Sequence, residues 1–364
     1  MKFSFPHMGT SHVAFKYLLE NLGYEVINPP TPSKKTITLG ARYSPEFACM
    51  PFKVLLGTYM EVLDKGAEAI VTSGGIGPCR AGFYGVLHEK ILKDMGYDFK
   101  MIILDPPLYD IKEFFNTVSL LRPKKIGWRG FINVVKDSWA KLCALDEMEK
   151  EANLVRAYEV NKGDTTKKVN EIIEVIDAAS TRKEIMGLQE KSISMLHEVP
   201  QNKLRKPLKI GLIGEIYVVI EPFMNYDIER LLGEMGVIVH RSIYVTEYTR
   251  HTIWDRKAED YIKEAAKPYL ELMIGGHGVN SVGETILYAQ DGYDGVIQLA
   301  PFTCIPEIVS KSILVKVSED YGIPVLTLHI DEQTGEAGIR TRIEAFLDLL
   351  HQKRSLSGKE GMAK

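Results

Sequence analysis

What most restricts the fold is a recurring alternation of short apolar runs and stretches with apolar residues at helical spacing. The first run is Met1-Lys2-Phe3-Ser4-Phe5. A helix is predicted over His12–Leu22, with Thr10 or Ser11 at its N-cap. Gly23-Tyr24-Glu25-Val26-Ile27-Asn28 reads as the next strand, closed by Pro29-Pro30. Residues 31–48 read as a loop with a short helical piece. Phe52, Leu55, Leu56, Tyr59, Val62 and Leu63 then mark a helix that Gly66 stops. Ala69-Ile70-Val71 is a buried-type strand, a second helix follows over Phe83–Met95, and residues 99–104 form another strand. Strands and helices that alternate at this spacing argue a parallel α/β sheet.

The pattern changes from Tyr109 to about Asn202. No strand-like run stands out there, and Asp110–Leu121, Phe131–Tyr158, Thr165–Ala179 and Thr181–His197 read as amphipathic helices. A linker, Val199 to Pro207, leads into a second α/β unit with strands over 208–215, 237–240, 270–275, 295–299 and 323–330. A helix is expected over Asn225–Met235, another over Glu307–Tyr321, and a last one over Ile339–Gln352. The expected organisation is an N-terminal α/β domain (1–108), a mainly helical region with linker (109–206), a C-terminal α/β domain (207–352) and a disordered tail (353–364).

Composition excludes several function classes. The net charge of −3 lacks the basic excess of a nucleic-acid-binding face. No apolar stretch is long enough to span a bilayer, and Met1-Lys2-Phe3-Ser4-Phe5-Pro6-His7 does not read as a signal peptide. The expected compartment is the cytoplasm. Only 4 cysteines occur in 364 residues, so no disulfide framework is expected.

Cys49, Cys79 and Cys304 each have a proline within two residues, and each is expected where a loop turns into a helix. Helix N-termini favour thiolate over thiol. The spacing lacks the close pairs of structural zinc and suits an iron–sulfur cluster, whose cysteines come from separate loops. Three thiolates leave one iron of a cubane for a substrate oxygen, water or sulfide. The competing reading is three buried core cysteines. Cys143, in mid-helix, is read as a packing residue. Gly74-Gly75-Ile76-Gly77 lacks the Gly-Lys-Ser/Thr of a P-loop and reads as a close backbone approach. Gly211-Leu212-Ile213-Gly214-Glu215 lacks the third glycine of a dinucleotide fingerprint. Glu215 either projects from a strand end into a cleft or forms a loop salt bridge. His277, among glycines after a strand, is either a proton donor, metal ligand or ligand contact, or a surface histidine. The carboxylates of Asp331 to Glu336 are expected to cap the last helix.

Taken in order, Cys49-Met50-Pro51-Phe52-Lys53, Gly77-Pro78-Cys79-Arg80-Ala81-Gly82-Phe83-Tyr84, Gly214-Glu215, Pro301-Phe302-Thr303-Cys304-Ile305-Pro306-Glu307 and the run Gly335 to Phe346 resemble the 2-hydroxyacyl-CoA dehydratase D-component superfamily. The likeness spans nearly the whole chain and is closest to the activase-related branch, which includes double-cubane cluster proteins. It implies two Rossmann-like α/β domains with a helical part. It implies that Cys49, Cys79 and Cys304 ligate an iron–sulfur cluster, either [4Fe-4S] or a bridged [8Fe-9S] double cubane across a dimer. In that family an ATP-dependent activase with its own cluster injects a low-potential electron. Dehydratases use it to form a ketyl radical and eliminate water from a 2-hydroxyacyl-CoA; double-cubane members reduce small molecules. No ATPase module of the activase type is recognisable here, so the expected partners are a separate activase and a second copy or related subunit. The expected function is a reductase or dehydratase-like iron–sulfur enzyme, with Glu215 and His277 as candidate catalytic residues. The rivals are a non-enzymatic cluster-bearing electron carrier or assembly factor, and a zinc-stabilised two-domain protein.

Overall fold

The computed structural model describes residues 1–74, 78–107, 110–253, 257 and 259–362, with backbone alone at 251–253 and 357–362. It divides into two compact units that interleave in sequence. The first comprises Met1–Ala152, Thr165–Val199 and Tyr244–Ala258, the second Asn153–Asp164, Pro200–Ile243 and Glu259–Lys364.

The first unit is built on strands β1 (Lys2–Ser4), β2 (Glu25–Val26), β3 (Ala69–Ser73) and β4 (Lys100–Leu104). They form one parallel sheet in the order β2-β1-β3-β4, with Phe3 opposite both Val26 and Ala69. Phe3, Phe5, Leu19, Ala69, Ile102 and Leu121 close its core. The connections from β1 run first to β2 on one side and then to β3 on the other. This makes the β1/β3 boundary a switch point, where ligands of open parallel sheets gather at the strands' carboxyl ends.

Residues 31–48, expected to be mostly loop, carry a full helix, Lys34–Tyr43, opened by a capping box between Ser33 and Thr36. It packs backbone to backbone on helix Met50–Asp64. A Cβ on Gly40 would sit 1.6 Å from the carbonyl oxygen of Lys53, and one on Gly57 2.0 Å from that of Thr36. Only glycine permits that approach, and it fixes the helix that Cys49 opens.

The second unit repeats the strand order. Strands β5 (Leu208–Gly214), β6 (Val237–Arg241), β7 (Gly295–Pro301) and β8 (Val325–Ile330) form a parallel sheet ordered β6-β5-β7-β8. Every residue of β7 is buried, including Gln298, the one polar side chain in an otherwise apolar run. Gly214 ends β5 at φ +140°, and a Cβ there would lie 2.2 Å from the carbonyl oxygen of Leu299. The chain therefore leaves β5 hard against β7, at the second switch point.

Several expectations need correction. Leu270–Gly275 forms no strand; the sheet is complete without it, and Leu272 and Met273 are 76% and 74% exposed. Tyr226 and Asp227 take left-handed backbone conformations, so the helix expected from Asn225 starts only at Ile228. The helix expected over 181–197 divides at Gly187. The last helix runs Glu336–Met362, past residue 353. Arg354 anchors that extension through Asp294 (2.7 Å) and the carbonyls of Lys206 and Pro207 (3.0 and 3.2 Å). No helix among the described residues is long and apolar enough to cross a membrane.

Candidate metal centre

Two of the singled-out cysteines lie in the first unit. Cys49 is buried and occupies the N-cap of the 15-residue helix Met50–Asp64, with Pro51 inside the first turn. Proline costs nothing there, because the first helical N–H groups have no intrahelical partner. The Cys49 carbonyl accepts from the N–H of Phe52 at 3.0 Å. Cys79 is partly exposed and opens a single 3-10 turn, Arg80–Phe83, which runs directly into helix Tyr84–Asp94. The expectation of a helix start thus holds fully at Cys49 and for one short turn at Cys79. Gly75, Ile76 and Gly77, read as a close-approach loop, lie outside the described residues.

The segment after Cys79 ties the two turns together. Arg80 Nη1 donates to the carbonyl oxygen of Phe47 at 2.5 Å. The Tyr84 hydroxyl and Sγ of Cys49 share a hydrogen bond in which either group can donate. The Tyr84 ring meets Phe52 edge-on at 5.2 Å, and His88 stacks on Phe52 at 4.0 Å. His88 is buried, and that burial holds its pKa down to about 3, so it packs as a neutral ring. Arg80 and Tyr84 sit inside the sequence motif around Cys79, but nothing in their spacing announces either partner.

Cys304 lies in the second unit, at the N-cap of the 17-residue helix Ile305–Tyr321, again with proline in the first turn. It is buried. A turn closed by Cys304 N–H to the Pro301 carbonyl (3.0 Å) carries it off the end of β7. Thr303 in that turn has φ +64°, an uncommon conformation for a β-branched residue and a place where backbone strain is stored.

Around Cys304 the second unit gathers polar groups from several elements. Glu307, one turn into the helix, is fully buried. Its carboxylate accepts from Gln298 Nε2 (2.9 Å), Ser281 Oγ (3.0 Å) and Ser310 Oγ (3.3 Å). Gln298 in turn accepts from Thr327 Oγ1 at 2.8 Å. Burial raises the Glu307 pKa against these donors. Glu215 follows β5, caps helix Ile216–Ile220 and accepts from the Val218 N–H at 3.0 Å. No ion pair involves it among the described residues. Its pKa rises to about 7, chiefly by desolvation and further by the charge of Glu307. His277 stands at the N-cap of helix Gly278–Gln290 without a side-chain cap bond. Burial lowers its pKa and Glu259 partly opposes this. Its neighbour Gly278 lies so close to the Cys304 turn that a Cβ would be 2.7 Å from the Pro306 carbonyl oxygen.

The structure therefore brings Glu215 and His277 to the turn that bears Cys304, and joins the Cys49 and Cys79 turns to each other. Glu307, Gln298 and Ser281 were not singled out from the sequence. An acid three residues after a helix-capping position was the available signal for Glu307. Cys143 is different: it sits within helix Trp128–Tyr158, and burial followed by Asp146 and Glu147 pushes its thiol pKa up. Asp331 does not cap the last helix. It closes its own turn, accepting from the Gln333 N–H (2.9 Å) and from Thr334 Oγ1 (2.8 Å).

Among the described residues, no three His, Cys, Asp or Glu side chains form a ready set around a metal ion. Cysteines capping helices, with a hydroxyl in hydrogen-bond contact with one sulfur, have the donor chemistry of a soft, thiolate-bound centre. No curated protein matches the chain. The family model of the 2-hydroxyglutaryl-CoA dehydratase D-component matches residues 29–350, which include every cysteine, Glu215 and His277. The chain belongs to the 2-hydroxyglutaryl-CoA dehydratase D-component family.

Proposed function

We propose that this protein is an iron–sulfur subunit of a 2-hydroxyacyl-CoA dehydratase-type enzyme, with Cys49, Cys79 and Cys304 as cluster ligands. The observation that carries the reading is the pair of cysteine turns cross-linked by Arg80 and Tyr84. Membership of the family supports it. Bound, such a cluster supplies a low-potential electron and an iron coordination position for a substrate oxygen. The chain's own residues do the rest. The N-termini of helices Met50–Asp64 and Ile305–Tyr321 favour anionic sulfur at Cys49 and Cys304. Glu215 keeps its proton up to about pH 7 and is the candidate acid for a leaving hydroxyl. His277, held neutral by burial, is the candidate group for orienting a substrate. No activase-type ATPase module is recognisable in the sequence. An ATP-dependent activase with its own cluster is therefore the proposed electron donor, and a second copy or related subunit the proposed assembly partner.

The test is anaerobic purification with iron and acid-labile sulfide counted per chain. A brown protein is expected. Cys49→Ser, Cys79→Ser and Cys304→Ser should each bleach it, whereas Cys143→Ser should not. The iron-to-sulfide ratio separates a single cubane from a bridged pair. A colourless, iron-free wild-type protein after reconstitution rejects the reading.

A further inference from the structure

We propose that Tyr84 is a positioning residue that sets the reduction potential of the metal centre through its hydrogen bond to Cys49. This rests on the ligand role proposed above for Cys49. The geometry places the Tyr84 hydroxyl against the sulfur itself, a contact that a packing role alone does not need, and a ligating thiolate has no proton, so there the phenol is the donor. The tyrosine is held on two sides. Its ring meets Phe52 edge-on at 5.2 Å and lies 5.7 Å from His88. His88 is fixed in turn by stacking on Phe52 and by a 3.0 Å contact from Nε2 to the Phe52 carbonyl oxygen. Phe52 donates its N–H to the Cys49 carbonyl. The sulfur and its donor are thus anchored to the same residue, and the hydroxyl has little freedom to leave.

A hydrogen bond to a ligating sulfur withdraws negative charge from the centre. Reduction adds charge, so the bond stabilises the reduced form more than the oxidised one. Tyr84 therefore raises the potential and eases electron acceptance. Because Tyr84 begins the helix that follows the Cys79 turn, the effect couples to the placement of both sulfurs.

The experiment compares wild type with Tyr84→Phe after anaerobic reconstitution, with iron counted and the midpoint potential read by mediated titration. The variant is expected to carry as much iron as wild type and to have a more negative midpoint. A tenfold weaker reduction equilibrium corresponds to a shift of about 59 mV for one electron. An unchanged midpoint at full iron content overturns the inference while leaving the cluster reading intact. Failure of wild type to take up iron overturns the cluster reading first. If Tyr84→Phe does not load, replacement of Tyr84 by 3-fluorotyrosine decides. That residue keeps the ring shape with a stronger O–H donor, so its midpoint should become more positive, and an unchanged value overturns the inference.

Discussion

Arg80, the residue after Cys79, donates to the carbonyl oxygen of Phe47, two residues before Cys49, at 2.5 Å. This bond joins two loops more than thirty residues apart in the chain. Arg80→Ala should loosen the Cys49 turn relative to the Cys79 turn. Iron retention should fall by roughly 10–100-fold, as for other groups that orient metal ligands. Global stability should fall by only about 1 kcal/mol, the usual value of one hydrogen bond. Iron release to a chelator, measured beside thermal unfolding, checks both; equal retention in variant and wild type would show that the bond does not organise the centre.

Gly57→Ala should destabilise the first unit by about 1–3 kcal/mol. The added methyl would meet the Thr36 carbonyl oxygen at 2.0 Å, and backbone cannot swing aside as a side chain can. Urea unfolding reads the change. An unaltered midpoint would mean that the two helices separate without cost.

The metal-free protein should show two opposed pH dependences. His88 is protonated more readily in the unfolded chain than in the native one, where its pKa is about 3. Its contribution is complete above pH 6.5 and is lost as pH falls toward 3, on the order of 4 kcal/mol. Glu215 behaves the other way, with its native pKa raised to about 7. Its contribution is complete below about pH 4.5 and is lost as pH rises through 7, about 2 kcal/mol once its partial exposure is discounted. Urea unfolding across pH 4–8 should lose the first slope in His88→Phe and the second in Glu215→Gln. Unchanged slopes would contradict the burial argument for each.

Gln298→Leu should cost about 1–3 kcal/mol, because it strips the buried Glu307 carboxylate of its closest donor. Adding Glu307→Gln should recover part of that loss, since an amide tolerates an incomplete set of partners better than a charge does. A double-mutant cycle by chemical denaturation reads the coupling. Strict additivity would show that the two side chains act independently.

The strands that run into loops at the switch points are legible in the sequence because β3, β5 and β7 are mainly apolar and end at, or one residue before, a glycine or proline. Leu270–Gly275 carries the same apolar signal, but a run of apolar residues does not reveal whether a sheet has an edge left to receive it. Cys49 and Cys304 are readable as helix caps because proline two residues on marks the first turn. Arg80, Tyr84 and Gln298 are not readable, since each acts on a partner that only the tertiary fold brings near. A carbonyl such as that of Phe47 leaves no trace in residue identity at all.

The interleaving of the units bears on how the chain is made. Thr246 donates to Asp146 at 2.9 and 2.7 Å, and Lys150 donates to Glu247 at 2.7 Å. These contacts close the first unit with residues that leave the ribosome only after β5 and β6 have been synthesised. A fragment ending at the linker near Pro207 would lack Thr246 and Glu247, so the N-terminal half is not a natural truncation product, and expression of either half alone should be attempted only with the borrowed segment supplied.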